Sequence, residues 1–299
     1  MTTVAAAVLA GALSISGQPA ANIYSATADF VRDCPVRDAG TPGAAKAARW
    51  LYRTINRAGC DAEIDTFQAP APGGETTFRN IYVELKSPNP AAPWIILASH
   101  YDTKPGMPKG FQGANDGAAS SMLLVELARQ LRSAGRAPDC SIAFVWLDGE
   151  ECRGAHYSGN DGLQGSVRAA QRFRDMHRRV VAAVNIDMIA DKNLHIRIPR
   201  NGTKVLRQKV VEAAADIGMP SLVSLGDDIV LDDHESFLKA GFPAVDFIDF
   251  DYGSAPGRND WWHTEHDTME NISAESIGKA GDLVLALLRR FGYRPVKSR

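Results

Sequence analysis

The run Cys140-Ser141-Ile142-Ala143-Phe144-Val145-Trp146-Leu147 constrains this chain more than any other, because it is apolar without a break and then stops abruptly at Asp148-Gly149-Glu150-Glu151. A short, continuous run rich in β-branched and aromatic residues reads as a strand buried on both faces. Such strands belong to parallel sheets covered by helices, and open α/β sheets place their ligands at the carboxyl ends of those strands. Two adjacent glutamates at such an end can divide labour, one holding a metal and the other moving a proton.

The rest of the chain repeats the pattern. Pro93–Ser99 is an apolar strand ending at His100-Tyr101-Asp102, Val180–Ile186 ends at Asp187, and Phe242–Ile248 is another. His195–Ile198 is a short strand, and Ala62–Phe67 and Thr77–Leu85 alternate as half-buried strands should, suiting an antiparallel edge. Helical spacing covers 20–32, 43–58, 167–176, 204–217 and 274–290, and a long helix is expected to open at Asn115-Asp116-Gly117. Strands alternating with helices predict a three-layer α/β sandwich, with a central mixed, mostly parallel sheet flanked by helices. No repeat or linker divides it, so residues 21–299 are expected to be one domain.

At 299 residues and a formal charge of −2, the chain can bury a sizeable core and offers nucleic acid no basic surface. No apolar stretch is long enough to span a bilayer. Residues 1–20 resemble a secretory leader without its basic start, which predicts a secreted or periplasmic protein, or a cytoplasmic one if the leader is not a signal. Cys34, Cys60, Cys140 and Cys152 lack C-x-x-C spacing, so they are read either as disulfide partners in an exported protein or as small buried residues.

Five residues stand at strand ends or in the loops beside them: His100, Asp116, Glu151, Asp187 and His263. Singly, each has a structural explanation, such as a hydrogen-bonded imidazole or a helix-capping aspartate. Together, two imidazoles and three carboxylates form a donor set that suits zinc, and they suffice for two ions if Asp116 bridges. Asp102, two residues after His100, points the same way on an extended chain and is placed to orient that imidazole. Glu150 is then left free as general acid/base.

The ordered motifs S-H-Y-D-T (99–103), G-A-N-D-G-A (113–118), D-G-E-E (148–151), N-I-D-M (185–188) and W-H-T (262–264) resemble the superfamily of co-catalytic zinc aminopeptidases and glutaminyl-peptide cyclotransferases. The resemblance implies Asp116, Glu151 and His263 as the ligands of one zinc, with His100 and Asp187 completing a second site in the aminopeptidases. The cyclotransferase branch is favoured by the segments Glu63–Phe67 and Phe78–Ile81, an insertion between Glu151 and Gly165, Asp232 before Asp233-His234, and Trp262 before His263. On that branch Glu150, Asp187 and Asp232 form the proton-handling network, and Trp262 lines the substrate pocket. Two features depart from it: the second pocket tryptophan has only His156-Tyr157 near its place, and the animal enzymes' cysteine pair is replaced by Ser99 and a Ser/Ala helix.

The expected function is conversion of N-terminal Gln on peptides or proteins to pyroglutamate with one zinc. The alternative is a two-zinc aminopeptidase acting on the same class of substrate. A non-catalytic binding module on this fold would be expected to have lost ligands or base, and all are present here.

Overall fold

Why the apolar runs are continuous is plain from the register of their side chains. The computed structural model describes residues 13–135 and 137–294. In β4 (Ser141–Leu147), Ile142, Phe144 and Trp146 face one core, while Ala143, Val145 and Leu147 face the other. Strand β3 (Trp94–His100) divides in the same way, with Ile95 and Leu97 opposite Ile96 and Ala98. A strand covered on both faces has no polar side to show, so the two-residue period is hidden in the sequence.

The main sheet has six strands in the order β1-β2-β4-β3-β5-β8. β1 (Glu63–Ala71) and β2 (Gly74–Leu85) form the antiparallel edge, and β2 is antiparallel to β4. β4, β3, β5 (Val180–Asp187) and β8 (Ala244–Ile248) run parallel. Helices α1 (Gln18–Asp33), α2 (Pro42–Arg57), α3 (Ser120–Ala134), α5 (Lys204–Asp216) and α7 (Ala274–Arg290) cover one face. On the other lie α4 (Gln164–Asp175) and α6 (His234–Lys239), through Phe173 and Phe237. The expected three-layer architecture is observed.

Two details differ from expectation. The short strand near residue 195, β6 (Ile196–Ile198), leaves the main sheet and pairs in parallel with β7 (Val223–Leu225), which has too few residues to show a period. The helix expected from Asn115 begins as regular helix only at Ser120, because Asp116 (φ −80°, ψ 88°) and Gly117 (φ 90°) are not helical.

Of the leader expected over residues 1–20, residues 1–12 lie outside the described part. Residues 13–20 join the fold: Ile15 is fully buried against α7, where a Cβ on Gly281 would stand 2.6 Å from it. Gly281 is therefore a close-approach glycine. All four cysteines are free and buried. Ser99 Oγ donates to Ser120 Oγ at 2.8 Å, a hydroxyl pair in the place expected to lack the cysteines. No described helix is long and apolar enough to cross a membrane.

Candidate metal and active site

The carboxyl ends of β3, β4 and β5 converge, and each is shaped by a backbone constraint. At the end of β4, Gly149 takes φ 77°, and a Cβ there would meet the Phe78 ring at 2.5 Å, so the turn requires glycine. The turn is held by the Asp102 carboxylate, which accepts the amides of Glu150 (3.2 Å) and Glu151 (3.1 Å). Asp102 Oδ1 also lies 3.5 Å from His100 Nδ1, but that nitrogen has no hydrogen-bond partner. Asp102 thus stands beside His100 on the side expected, at the outer limit of hydrogen-bond distance, while its two oxygens also accept backbone amides.

Asp116 is presented by the kinked turn before α3. The buried Asp267 carboxylate accepts the amides of Ala114 (3.0 Å), Asn115 (2.8 Å) and Asp116 (3.2 Å), as a capping side chain would. Gly117 lets the turn pass over His100, since a Cβ there would stand 2.7 Å from Cε1 of the imidazole.

The five expected ligands come together in two triads that share Asp116: Asp116, Glu151 and His263, and His100, Asp116 and Asp187. His263 Nε2 lies 2.9 Å from Glu151 Oε1 and 3.2 Å from Asp116 Oδ2. His100 Nε2 lies 3.1 Å from Asp116 Oδ1 and 3.2 Å from Asp187 Oδ1. Asp116 therefore turns one oxygen toward each imidazole, as a bridging ligand would. Its Oδ2 is buried and lacks a hydrogen bond of good geometry, so the donor set fits a cation at this point.

Electrostatics agree. Burial pushes the Glu151 carboxyl up to about 7, with Asp116 adding to the rise, while His263 pulls it down. Asp187 is likewise raised by burial, to about 7, against the pull of His100. Burial would lower His263, but Asp116 and Glu151 raise it to about 10. Asp116 stays well below the ordinary carboxylate range, because bonds to His100 and His263 outweigh its burial. Buried like charges this close are costly unless a cation or protons offset them.

Glu150 belongs to neither triad. Burial and Glu151 hold its carboxyl well above the usual range, with Asp232 adding to the rise and His100 opposing it. A carboxyl poised that high suits a proton carrier. Asp187, expected beside Asp232 in raising Glu150, is tied instead to His100 and to the Met188 amide, 2.9 Å away.

A cavity of about 170 Å³ opens over the first triad, lined by Asp116, Glu150, Glu151, Asp187, Asp232 and His263 on its polar side. Trp262 forms part of its wall, as expected, and stacks on His263 at 3.9 Å and 23°. His100 does not line it. A larger groove of about 540 Å³ near Glu63, Tyr82 and Arg132 gathers no metal-binding set.

Phe250, Asp267 and Asp246, at or behind the site, are unmarked in the sequence reading, and Tyr157 enters it only as standing near the place of the second pocket tryptophan. Tyr157 and Phe250 line the cavity, and Asp267 shapes the Asp116 turn. Asp246 lies behind Asp232, and burial holds its carboxyl well above the usual range, with the charge of Asp232 adding to the rise. Only Asp246 carried a usable signal, as the one charge inside an apolar strand.

Residues 80–288 match the model of peptidase family M28. A glutaminyl-peptide cyclotransferase-like protein of Bos taurus is 27% identical over 286 residues, covering 86% of this chain and 72% of the relative. Among solved structures, the glutaminyl cyclase of an Acidobacteriales bacterium superposes with a TM-score of 0.85 and 32% identity, covering 97% of this chain and 99% of the other. A Zn-dependent exopeptidase from Parabacteroides distasonis shares the fold, with a TM-score of 0.79, 23% identity and coverage of 92% and 98%.

Proposed function

The chain belongs to peptidase family M28, on its glutaminyl cyclase-like side, and from that premise we propose that it is a zinc-dependent glutaminyl-peptide cyclotransferase using one catalytic ion. The observation that carries the reading is the cavity of about 170 Å³: it admits one residue, with Glu150 and the first triad facing that residue and His100 excluded. A peptide N-terminus with a glutamine side chain folded back on its own amine is an occupant of the right size and polarity.

Asp116, Glu151 and His263 would hold the zinc, which when bound supplies Lewis-acid polarisation of the glutamine side-chain carbonyl. The substrate's own α-amine is the nucleophile, so the walls contribute chiefly by holding that amine near the side-chain carbon. Trp262 and Tyr157 enclose it and exclude water. Glu150 takes the proton released as the new C–N bond forms and returns one to the departing ammonia. Burial and Glu151 hold the Glu150 carboxyl above its usual range, and Asp232 adds to the rise. The His100–Asp116–Asp187 triad remains as the alternative, since a second ion there would suit the two-zinc aminopeptidase.

Mass spectrometry separates the readings. The zinc-loaded protein is incubated with a peptide beginning Gln and a matched peptide beginning Leu. Loss of ammonia from the first alone is the expected result; release of free Leu or Gln would replace cyclisation with hydrolysis.

A further inference from the structure

The segment between β4 and α4 leaves Glu150 and comes back to it. Leu163 N–H donates to the Glu150 carbonyl at 3.0 Å, and Gln164 N–H donates to the Gly149 carbonyl at 2.9 Å. Within the segment, the Asp161 carboxylate accepts the amides of Arg153 (2.7 Å) and Gly154 (2.8 Å), and Ser158 bridges to Asp161. Five tethers so close together make a braced loop, not a loose insertion.

Its inward side chain is Tyr157, whose hydroxyl donates to Glu150 Oε1 while its ring lines the cavity. Gly162 is the condition for that placement. It takes φ 89°, and a Cβ there would stand 2.4 Å from the Tyr157 ring and 2.8 Å from the Glu150 carbonyl oxygen. Burial, and then the neighbouring Glu150 carboxyl, raise the phenol above its ordinary range, so its hydroxyl remains a donor.

We propose that Tyr157 is a positioning residue for the proton carrier: its hydroxyl pins Glu150 Oε1, leaving Oε2 to meet the substrate amine. A glutamate side chain has three rotatable bonds, and its neighbour Glu151 is a metal ligand. Left free, Glu150 can swing toward the ion that Glu151 serves. The tether removes that option, with the loop's own hydrogen bonds fixing the donor. Oε2 stands 4.0 Å from His100 Nδ1, beyond hydrogen-bond range, so the two oxygens are not equivalent. This inference rests on the reading of Glu150 as the group that moves the proton.

The test is steady-state cyclisation of a Gln peptide by Tyr157→Phe and Tyr157→Trp, with Glu150→Gln alongside and zinc content measured for each. Phe keeps the ring and the fold, and Trp keeps the wall, while neither keeps the hydroxyl. For both, kcat is expected to fall roughly tenfold or more, the scale of a lost hydrogen bond to a charged group. KM is expected to stay within about twofold for the Phe variant, since uniform binding is untouched, and zinc content is expected to be unchanged. Wild-type kcat in Tyr157→Phe would overturn the proposal, and so would a loss confined to KM, which would make the hydroxyl a substrate contact. If Glu150→Gln itself retains near-normal turnover, the reading of Glu150 fails, and this inference fails with it. If Glu150→Gln is disabled and Tyr157→Phe is not, only the role of Tyr157 is lost.

Discussion

The two triads are built from the same chemistry and share Asp116, yet they face different surroundings. His263 retains some exposure and all three members of its triad line the cavity. The second triad is open on one side only: Asp116 and Asp187 line the cavity, but His100 is 1% exposed and takes no part in the cavity wall. Donor identity alone thus does not make a catalytic centre. What separates the two is which imidazole the cavity reaches.

The largest effect should come from testing that difference directly. His263→Ala removes a ligand from the open triad and is expected to abolish zinc retention and lower kcat/KM by about three orders of magnitude or more. His100→Ala, in the second triad, should retain one zinc per chain and lose no more than about 10–100-fold, a change the size of a lost outer-shell partner. Elemental analysis and kinetics on the same samples provide the check. Equal losses of zinc and activity in the two variants would break the contrast.

Next in size is Glu150→Gln, which keeps the shape of the open side but removes the proposed proton carrier. A fall of about 10²–10⁴ in kcat with zinc retained is expected, the usual span for positioned acid–base catalysis. Near-normal kcat would mean that the open triad works without it.

How much of this the sequence disclosed follows the same division between strand and loop. His100, Glu150, Glu151 and Asp187 stand where an apolar run stops, and the stop is visible because a buried strand cannot continue through a charge. The six-stranded sheet was legible for the same reason. Asp267 and Tyr157 lie in loops, where no period marks which polar side chain turns inward, and only the fold brings them to Asp116 and Glu150. The kink at Asp116 was misread as helix because G-A-N-D-G-A leads into apolar helical spacing, and the residue that bends it lies 151 positions away. Left-handed backbone at Leu163, Met188 and His263 was equally hidden: it costs energy locally and is maintained by contacts distant in sequence.

Asp267 lets the comparison be sharpened from behind, because both triads depend on the turn it holds. Asp267→Asn keeps the shape but turns an amino group toward one of the three amides, leaving a buried donor unpaired. A loss of about 1–3 kcal/mol in unfolding free energy is expected, together with weaker zinc retention. Denaturant titration with and without chelator would separate the two contributions. An unchanged midpoint and unchanged zinc affinity would show that the turn holds its shape without the carboxylate.

The smallest effect belongs to the wall of the open triad. Trp262 stacks on His263 at 3.9 Å and meets Phe250 at 5.0 Å, so it both lines the cavity and braces a proposed metal ligand held in left-handed backbone (φ 57°). These roles predict different outcomes for two substitutions. Trp262→Phe keeps a ring on the imidazole and should cost only a few-fold in KM, whereas Trp262→Ala loses stacking of about 0.5–1.5 kcal/mol beyond the buried area and should raise KM about tenfold. If the ring acts only as a wall, zinc affinity stays constant in both variants. If bracing matters, the Ala variant alone releases zinc more readily, because the His263 imidazole faces the cavity and leans on the Trp262 ring, whereas that of His100 is packed inside the protein.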